Sequence, residues 1–356
     1  MTLCALHHRV SPRRRMLPVA AILFCVHLAA ALCAAASSEA PLVLENTAVR
    51  VVIDPAVGRV MEFRPRDADA RNILWVNSSA ARSEEAAQAG YENWGGDKVW
   101  PAAQPFWRYA LNRTWPPDTA VDGEGAAAAE QLGPLRARLV FPVSDSFHHQ
   151  LEREFELDPT QPVLRIRNRI TQLRASPFPA QVWSITQVPM PERVVFDVAP
   201  DAFPAFEQPV NLNGIRPRPP LEPQGFAEGS VVRLEGAVVF HPDPTRQQKL
   251  GTFGHWIAGV WSDGVLVQQV AFAAAGLYPE GTSLQLYQEQ RYAELETLGV
   301  ARLLAPGEVL ETIVTWRWLP PVDSSLTDAA LSRELAQSLS AAPSSPTVDQ
   351  PKPEDF

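Results

Sequence analysis

Two glutamates separated by one apolar residue are the most direct candidates for acid/base chemistry in this chain. Glu294 and Glu296 flank Leu295, and successive side chains of a β-strand point to opposite faces. On a strand, both carboxylates would therefore share one face, about 7 Å apart. Burial and like charge would raise the pKa of one carboxyl toward the value that suits a general base. The alternative, which the spacing alone favours, places both carboxylates on a solvated face.

Lysine is used so sparingly that its positions suggest a role in ligand contact. The 31 Lys and Arg residues include only three Lys, of which Lys98 and Lys249 lie outside the C-terminal tail. An ammonium is a compact charge with three rotatable donors and a pKa that shifts readily, which a guanidinium cannot reproduce. We expect both lysines to contact ligand, as donors to hydroxyls or as partners of a carboxylate. The alternative is that their placement reflects chance.

Histidine and motif content argue against a metal or a cofactor. The adjacent His148 and His149 would point to opposite faces of a strand, which makes them a poor metal pair. His255 follows a Gly-rich segment near Lys249 and is a candidate acid; alternatively, as a lone His, it is a packed residue. The chain contains no phosphate-binding loop, dinucleotide-binding glycine motif or calcium loop. We therefore expect neither a metal nor a cofactor.

An aromatic-rich segment around residue 100 has the composition of a sugar-binding surface. It contains four of the ten Trp, and indole rings can cover the apolar faces of sugars. Gly95-Gly96 permits positive φ and a close approach of the backbone. We expect ligand contacts from Asn93, Trp94, Asp97, Lys98, Gln104 and Trp115. The alternative is that the aromatic side chains pack a long loop against a sheet, the role expected for Trp100.

The stretch 92–104, Glu-Asn-Trp-Gly-Gly-Asp-Lys-Val-Trp-Pro-Ala-Ala-Gln, resembles the signature of an uncharacterised bacterial domain family. That family lies within the galactose mutarotase-like (aldose 1-epimerase) superfamily. Further segments agree with it in order, namely Trp115–Asp118 with Asp122-Gly123, Val182–Gln187, Leu295–Thr297 and Leu304–Glu308. The resemblance covers about 42–320. It implies an all-β fold, a galactose mutarotase-like antiparallel β-supersandwich, with a sugar-sized cleft on one sheet.

The same resemblance implies one half of a catalytic pair. In mutarotases, a His donates a proton to the sugar ring oxygen while a Glu takes the proton of the anomeric hydroxyl, and Glu296 matches that Glu. The segment 183–187 falls where mutarotases have a substrate-facing strand. This implies ligand contacts for Trp183 and Gln187, but the segment contains no His. Ring opening needs an acid as well as a base, so the acid must come from elsewhere.

Short apolar runs separated by turn residues must form the elements that position these side chains. The runs are mostly five to ten residues long, which is typical of antiparallel sheets packed face to face. A parallel sheet is excluded because no amphipathic helix of useful length lies between the runs. We predict a β-sandwich domain over 37–322 and a Pro-rich surface excursion over 199–229. Residues 323–356 are predicted to form a short helix, about 326–339, and a disordered Pro/Ser-rich tail.

The first 36 residues have the pattern of a cleaved signal peptide. Three Arg at 13–15 precede an apolar run over 17–32, and small residues at 34–36 offer a cleavage site. All three Cys lie in this leader, so the remaining chain has no disulfide. We predict a periplasmic or secreted protein. A lipoprotein attached at Cys33 is less favoured, because Leu32 occupies a position that normally needs a small residue.

Charge and composition then limit the partners. The formal net charge is −9, and loss of a leader with four Arg and no acidic residue would make it more negative. An acidic exported protein is not expected to bind nucleic acid or anionic lipid. No later apolar run approaches the ~20 residues that span a bilayer. We expect a saccharide ligand, no membrane span and a monomer.

The sequence therefore predicts an exported carbohydrate-binding protein of mutarotase-like fold. If it is an isomerase, Glu296 is the base, with Glu294 beside it and Lys249 or His255 as the acid. The substrate would be an aldose or a uronic-acid-containing saccharide, whose carboxylate would pair with lysine. Two alternatives stay open: a non-catalytic carbohydrate-binding module, and a structural domain that has lost the catalytic His.

Overall fold

Antiparallel strands are the main secondary structure in the described part of the computed structural model. It describes residues 40–67, 69–78, 91–199, 210–211 and 227–340. The predicted leader, most of the Pro-rich excursion and the C-terminal tail lie outside the described residues. Among the residues that are described, no helix combines the length and apolar character needed to span a membrane.

The described elements are mostly strands of four to eleven residues. In chain order they are β1 Leu42–Glu45, β2 Val49–Asp54, β3 Arg59–Pro65, β4 Asp97–Trp100, a 3₁₀ turn Gln104–Phe106, α1 Trp107–Ala110, β5 Ala128–Gly133, β6 Arg136–Val143, β7 His149–Leu157, β8 Val163–Gln172, β9 Trp183–Val188, β10 Arg193–Asp197, β11 Val210–Asn211, β12 Val231–Leu234, β13 Ala237–Phe240, β14 Gln248–Thr252, β15 Trp256–Trp261, β16 Gly264–Val270, β17 Leu284–Gln288, β18 Ala293–Leu298, β19 Val309–Leu319 and α2 Asp328–Ser340.

These strands form two large antiparallel sheets. One has nine strands in the order β1-β2-β3-β4-β9-β18-β17-β14-β11, and the other has ten in the order β12-β13-β10-β15-β16-β19-β8-β7-β6-β5. Alternate apolar side chains of both sheets meet in one core between them, as with Phe155 of β7 and Leu295 of β18. This is the packing expected of a sandwich. The sequence-based prediction of an all-β fold of two face-to-face antiparallel sheets is confirmed.

Helix α2 covers part of the outer face of the ten-stranded sheet. Leu331 and Leu335 are buried in a cluster with side chains of β10, β13, β15 and β16. At the start of the helix, Asp328 lies 2.9 Å from Nε2 of His241 and 3.7 Å from the guanidinium of Arg193. A carboxylate at a helix N-terminus is favourably placed. These contacts fix the helix to the sheet.

The central strands of the nine-stranded sheet are buried on both faces. Every residue of β4 and β9 is buried, and so are five of the six residues of β18. Only one face of these strands meets the other sheet. The second face must therefore be covered by other parts of the chain, and half of the predicted site residues lie on it.

Candidate functional site

Both predicted glutamates lie on the outer face of the nine-stranded sheet. Leu295 packs into the core between the sheets, so Glu294 and Glu296 point the other way. The register places Glu296 beside Ile185 of β9 and beside Gln285 of β17. We call this surface the glutamate face. It consists of the outward side chains of five neighbouring strands. These side chains are Lys98 of β4, Trp183, Ile185 and Gln187 of β9, Glu294 and Glu296 of β18, Gln285 and Tyr287 of β17, and Lys249 of β14.

Glu296 is a fully buried carboxylate held from two sides. Its Oε2 accepts a hydrogen bond of 2.8 Å from the indole Nε1 of Trp183. The ammonium of Lys249 lies 3.0 and 3.2 Å from its two oxygens. Burial, with the nearby charge of Glu294, raises the pKa of Glu296 to about 7, although Lys249 and Trp183 favour the ionised form. A carboxyl with this pKa can accept a proton near neutral pH.

Lys249 lies directly against this carboxylate. Its Nζ lies 4.7 Å from the ring centre of Trp183, and Lys249 also interacts with Glu280, where it opposes the rise that burial causes in the pKa of that carboxyl. A ring-opening reaction needs its acid on the opposite side of the sugar from its base. This contact places Lys249 on the same side as the carboxylate of Glu296, which does not favour its predicted role as the acid.

Lys98 forms a second polar group with Glu294 at the other end of the face. Its Nζ lies 3.1 Å from the hydroxyl of Tyr91 and 3.8 Å from Oε1 of Glu294, and 5.0 Å from the ring centre of Trp100. Burial alone would lower the pKa of Lys98, but Tyr91 and Glu294 contribute to a net rise. The side chain is therefore a buried ammonium.

Two glutamine side chains present unpaired acceptors on the same face. The amide nitrogen of Gln187 donates to Oε1 of Glu294 at 2.7 Å, and that of Gln285 donates to the carbonyl of Glu280 at 3.0 Å. Both side chains are fully buried, and neither amide oxygen has a hydrogen-bond partner among the described residues. Buried acceptors of this kind are normally satisfied. They are suited to hydroxyl groups of a ligand.

An aromatic wall borders the face. Trp100 and Trp107 are buried and pack edge to face at 5.1 Å, whereas Trp115 is 48% exposed. The ring of Trp115 lies 4.8 Å from that of Tyr91 and 5.9 Å from that of Trp100. The buried indoles of Trp100 and Trp107 therefore have a packing role. Trp115, in contrast, presents an accessible ring beside Tyr91.

The glycine pair before β4 permits the backbone path that leads to Lys98. Gly95 and Gly96 have φ of 82° and 71°, which other residues rarely adopt. A Cβ at Gly95 would lie 2.4 Å from the carbonyl oxygen of Trp75, and one at Gly96 2.3 Å from that of Val60. The close approach of backbone at these glycines is therefore to protein strands.

Asp97 lies on the opposite face from the predicted ligand contacts. It is fully buried between the sheets, where its carboxylate forms an ion pair with Arg153 of β7. Its Oδ2 also accepts hydrogen bonds from the hydroxyls of Thr186, at 2.9 Å, and Ser184, at 3.3 Å. Asp97 and Lys98 are successive strand residues and so point in opposite directions. A ligand on the glutamate face does not reach Asp97, and we remove it from the ligand-binding set.

His255 also lies apart from the glutamates. It precedes β15 of the other sheet, and its side chain is exposed. Its backbone N–H donates to Asp197 at 2.7 Å, and its ring packs edge to face on Phe272 at 5.7 Å. No described contact joins its imidazole to Glu296, so the structure gives no support to its predicted role as acid.

The other predicted contacts on the aromatic segment have local structural roles. The side-chain oxygen of Asn93 accepts from the N–H of Gly95 at 3.3 Å, and the carbonyl of the half-buried Trp94 accepts from the N–H of Asn77 at 3.1 Å. Gln104 donates its backbone N–H to Glu280 at 2.5 Å. These bonds hold the aromatic segment over the sheet, and none of them brings Asn93 or Trp94 to the glutamates.

Three residues of the site were missed from the sequence. Tyr91 and Glu280 lie in irregular segments, and their contacts with Lys98 and Lys249 depend on tertiary packing. Gln285 carried a usable signal, because it alternates with Leu286 in a strand pattern next to that of the glutamates. Among the described residues, no group of three or more His, Cys, Asp or Glu has the arrangement to hold a metal ion.

Several solved structures share the architecture of this chain. A protein of Escherichia coli K12 with a provisional assignment as an aldose 1-epimerase matches 79% of this chain over 99% of its own, at 11% identity and a TM-score of 0.53. The fold is that of the galactose mutarotase-like proteins. A galactose mutarotase related enzyme from Lactobacillus acidophilus matches 80% of this chain over 99% of its own, at 9% identity and a TM-score of 0.50.

The mutarotase-like fold also occurs inside a larger protein. A TPR-domain containing protein from Parabacteroides distasonis matches 82% of this chain over 49% of its own, at 14% identity and a TM-score of 0.51. No protein-family profile and no curated protein sequence matches this chain. At these identities, the likeness is one of fold. The function must be argued from the glutamate face itself.

Proposed function

We propose that this protein binds a saccharide on the glutamate face and interconverts its anomers, with Glu296 as the general base. The observation that carries the proposal is the environment of Glu296: a buried carboxyl with a pKa of about 7, oriented by Trp183 and Lys249. A base is most effective when its pKa lies near the working pH. The carbohydrate-related proteins that share the fold support a sugar as the ligand.

The charges on the face favour a neutral aldose over a uronate. Lys249 is already paired with Glu296, and Lys98 is already close to Glu294. A ligand carboxylate would have to compete with these protein carboxylates and would approach their negative charge. The unpaired amide oxygens of Gln187 and Gln285 instead accept hydrogen bonds from sugar hydroxyls.

The experiment that tests this proposal compares neutral hexoses with the corresponding hexuronates. Exchange NMR would measure the rate of α-to-β interconversion with and without the protein, and titration would measure Kd. We expect faster interconversion of at least one neutral aldose, and weaker binding of its uronate. If neither rate nor binding responds to any sugar, a saccharide site on the glutamate face is wrong.

The exposed indole of Trp115 gives a prediction for binding. Replacing Trp115 with Ala removes an accessible aromatic surface at the border of the site. We expect a loss of about 1 kcal/mol, or about fivefold in Kd. Tyr109→Ala is a matched control, because Tyr109 is 65% exposed and lies on α1, outside the glutamate face. Equal affinities of wild type and Trp115→Ala would exclude a sugar contact at Trp115.

The ion pair of Lys249 gives a prediction for pH dependence. Because Lys249 favours the ionised form of Glu296, Lys249→Met should raise the pKa of that carboxyl above about 7. A base acts only when deprotonated, so the rate rises with pH through this pKa. We expect the acid limb of the rate profile to move about 1–3 pH units higher in Lys249→Met. An unmoved limb would show that this carboxyl does not control the rate.

Non-catalytic sugar binding is the second candidate. One observation in its favour is that β9 has no His at the position where the resemblance implies a catalytic His. The other is that the carboxylate of Glu296 is already in an ion pair with Lys249. Sugar binding without any increase in anomer exchange would support this candidate. A purely structural role is less well supported, because Glu296 is buried among polar partners and Trp115 is exposed.

Export is a separate proposal that rests on the sequence of the first 36 residues. The arginines, apolar run and small residues of this leader have the order of a signal peptide. N-terminal sequencing of the protein recovered from a periplasmic or culture fraction would test it. A mature chain that begins near Ser37 is expected, and an intact leader in the cytoplasmic fraction would contradict it.

A further inference from the structure

The hydroxyl of Tyr91 lies at the edge of the glutamate face, close to two positively charged side chains. Lys98 approaches it at 3.1 Å, with the ammonium also 5.8 Å from the centre of the phenol ring. Arg59 is the second cation nearby: burial opposes its charge, but Asp122 and Tyr91 raise the pKa of its guanidinium. Both cations therefore lie close to this hydroxyl, at the border of the glutamate face.

The hydrogen of this hydroxyl is left for another partner. Lysine only donates hydrogen bonds, so the Tyr91 oxygen acts as acceptor toward Lys98. No described residue accepts the phenolic hydrogen. The ring is half-buried and packs edge to face on the exposed Trp115. Tyr91 is therefore a proton donor at the border of the site, next to the proposed sugar contact.

The strand register places this donor across the face from Glu296. Lys98 pairs with Ile185 of β9, and Ile185 pairs with Glu296 of β18. Lys98 and Glu296 are thus two strands apart in one row, about 10 Å between Cα atoms. The apolar side chain of Ile185 lies between them and is fully buried in a cluster with Trp100, Trp107 and Trp183. The two ends of the row are thus on opposite sides of this cluster.

We infer that Tyr91 is the general acid of the site, and that Lys98 is a positioning residue that holds its hydroxyl by a hydrogen bond; the inference rests on the proposed function. Glu296 takes the proton of the anomeric hydroxyl, the C1–ring oxygen bond breaks, and C1 becomes a carbonyl. The ring oxygen keeps the bonding electron pair and takes the phenolic proton of Tyr91. Rotation about C1–C2 and ring closure reverse both proton transfers and yield the other anomer.

The test compares Tyr91→Phe and Lys98→Met with wild type and with Glu296→Gln. Tyr91→Phe keeps the aromatic packing on Trp115 and removes only the hydroxyl. We expect kcat to fall about 100-fold, with Kd for the sugar changed less than about threefold. Lys98→Met should lower kcat more than it changes Kd, because it removes the hydrogen bond that orients the phenol. Tyr109→Phe is the matched control, since it removes an exposed phenol hydroxyl outside the site.

The outcomes separate this inference from the function on which it rests. If Glu296→Gln is inactive while Tyr91→Phe keeps the kcat of wild type, the assignment of Tyr91 is wrong and the proposed function stands. If the wild-type protein does not accelerate the anomer interconversion of any aldose, the proposed function is wrong, and the assignment of Tyr91 is wrong with it. A thermal melt of each variant checks folding, and loss of kcat in a folded Tyr91→Phe protein that still binds sugar supports the assignment.

Discussion

Glu296→Gln is expected to lower the rate of anomer interconversion by about 1,000-fold while leaving sugar binding within about threefold of wild type. Gln has nearly the shape of Glu and can still accept from the indole of Trp183, but it cannot take a proton. General bases contribute about 10²- to 10⁴-fold. Exchange NMR at saturating sugar measures the rate. A variant that retains more than a tenth of the wild-type rate would contradict the role of this carboxylate.

The stability of the same variant distinguishes lost chemistry from lost structure. Because burial raises the pKa of Glu296 from 4.5 to about 7, the folded protein holds a proton there that the unfolded chain releases between these values. The free energy of unfolding of wild type should therefore fall as pH rises from about 4.5 to 7. The amide of the Glu296→Gln variant does not titrate, so this part of the fall is absent from it. Denaturant titrations at pH 5 and pH 8 measure the difference.

Glu294→Gln is the matched control for this experiment. Glu294 lies on the same strand face two residues away, accepts from Gln187, and is close to Lys98. It has no contact with Trp183 or Lys249 among the described residues. A smaller effect on the rate than that of Glu296→Gln is expected. Equal losses from both variants would indicate that the charge of the face, rather than one base, controls the reaction.

The fold was predictable because the patterns that indicate strands are local. Short runs with period-two burial, such as β7, lie between turn residues and leave few alternatives to antiparallel sheets. The pairing order was not predictable in the same way, because β4 pairs with β9, more than 80 residues later. Contacts of this kind come from the packing of whole sheets. The row from Lys98 through Ile185 to Glu296 exists only after that pairing.

Site residues were predictable where they lie on a single strand, because alternation along a strand shows which side chains share a face. Glu294 and Glu296 share a face as the alternation predicts, and Lys249 meets Glu296 although the sequence separates them by 47 positions. The same alternation puts Asp97 and Lys98 on opposite faces, so both could not contact one ligand. Tyr91 was missed because it lies outside any strand and reaches Lys98 only through tertiary packing.

The ion pair beneath the site has a structural role that a substitution would expose. Asp97 of β4 and Arg153 of β7 are fully buried and join the two sheets. Arg153 also donates to Asn168 at 3.1 Å, and Gln268 of β16 donates to Thr186 at 2.6 Å. This polar network crosses the core directly below the strands that carry Lys98 and Ile185. Removing the charge of Asp97 would leave Arg153 buried without its counter-charge.

Asp97→Asn is therefore expected to lower the free energy of unfolding by about 3–5 kcal/mol. Asn preserves the shape of Asp97 but leaves the guanidinium of Arg153 buried without its counter-charge. Urea denaturation at pH 7 measures the loss.

The matched control is Asp97→Leu combined with Arg153→Met, which removes both charges. It should lower the free energy of unfolding much less than the single change, since apolar replacement of a whole buried pair is often neutral. A single variant within about 1 kcal/mol of wild type would show that the pair does not hold the sheets together. Sugar affinity of the folded fraction should stay within about threefold, because Asp97 lies on the far side of the sheet from the ligand.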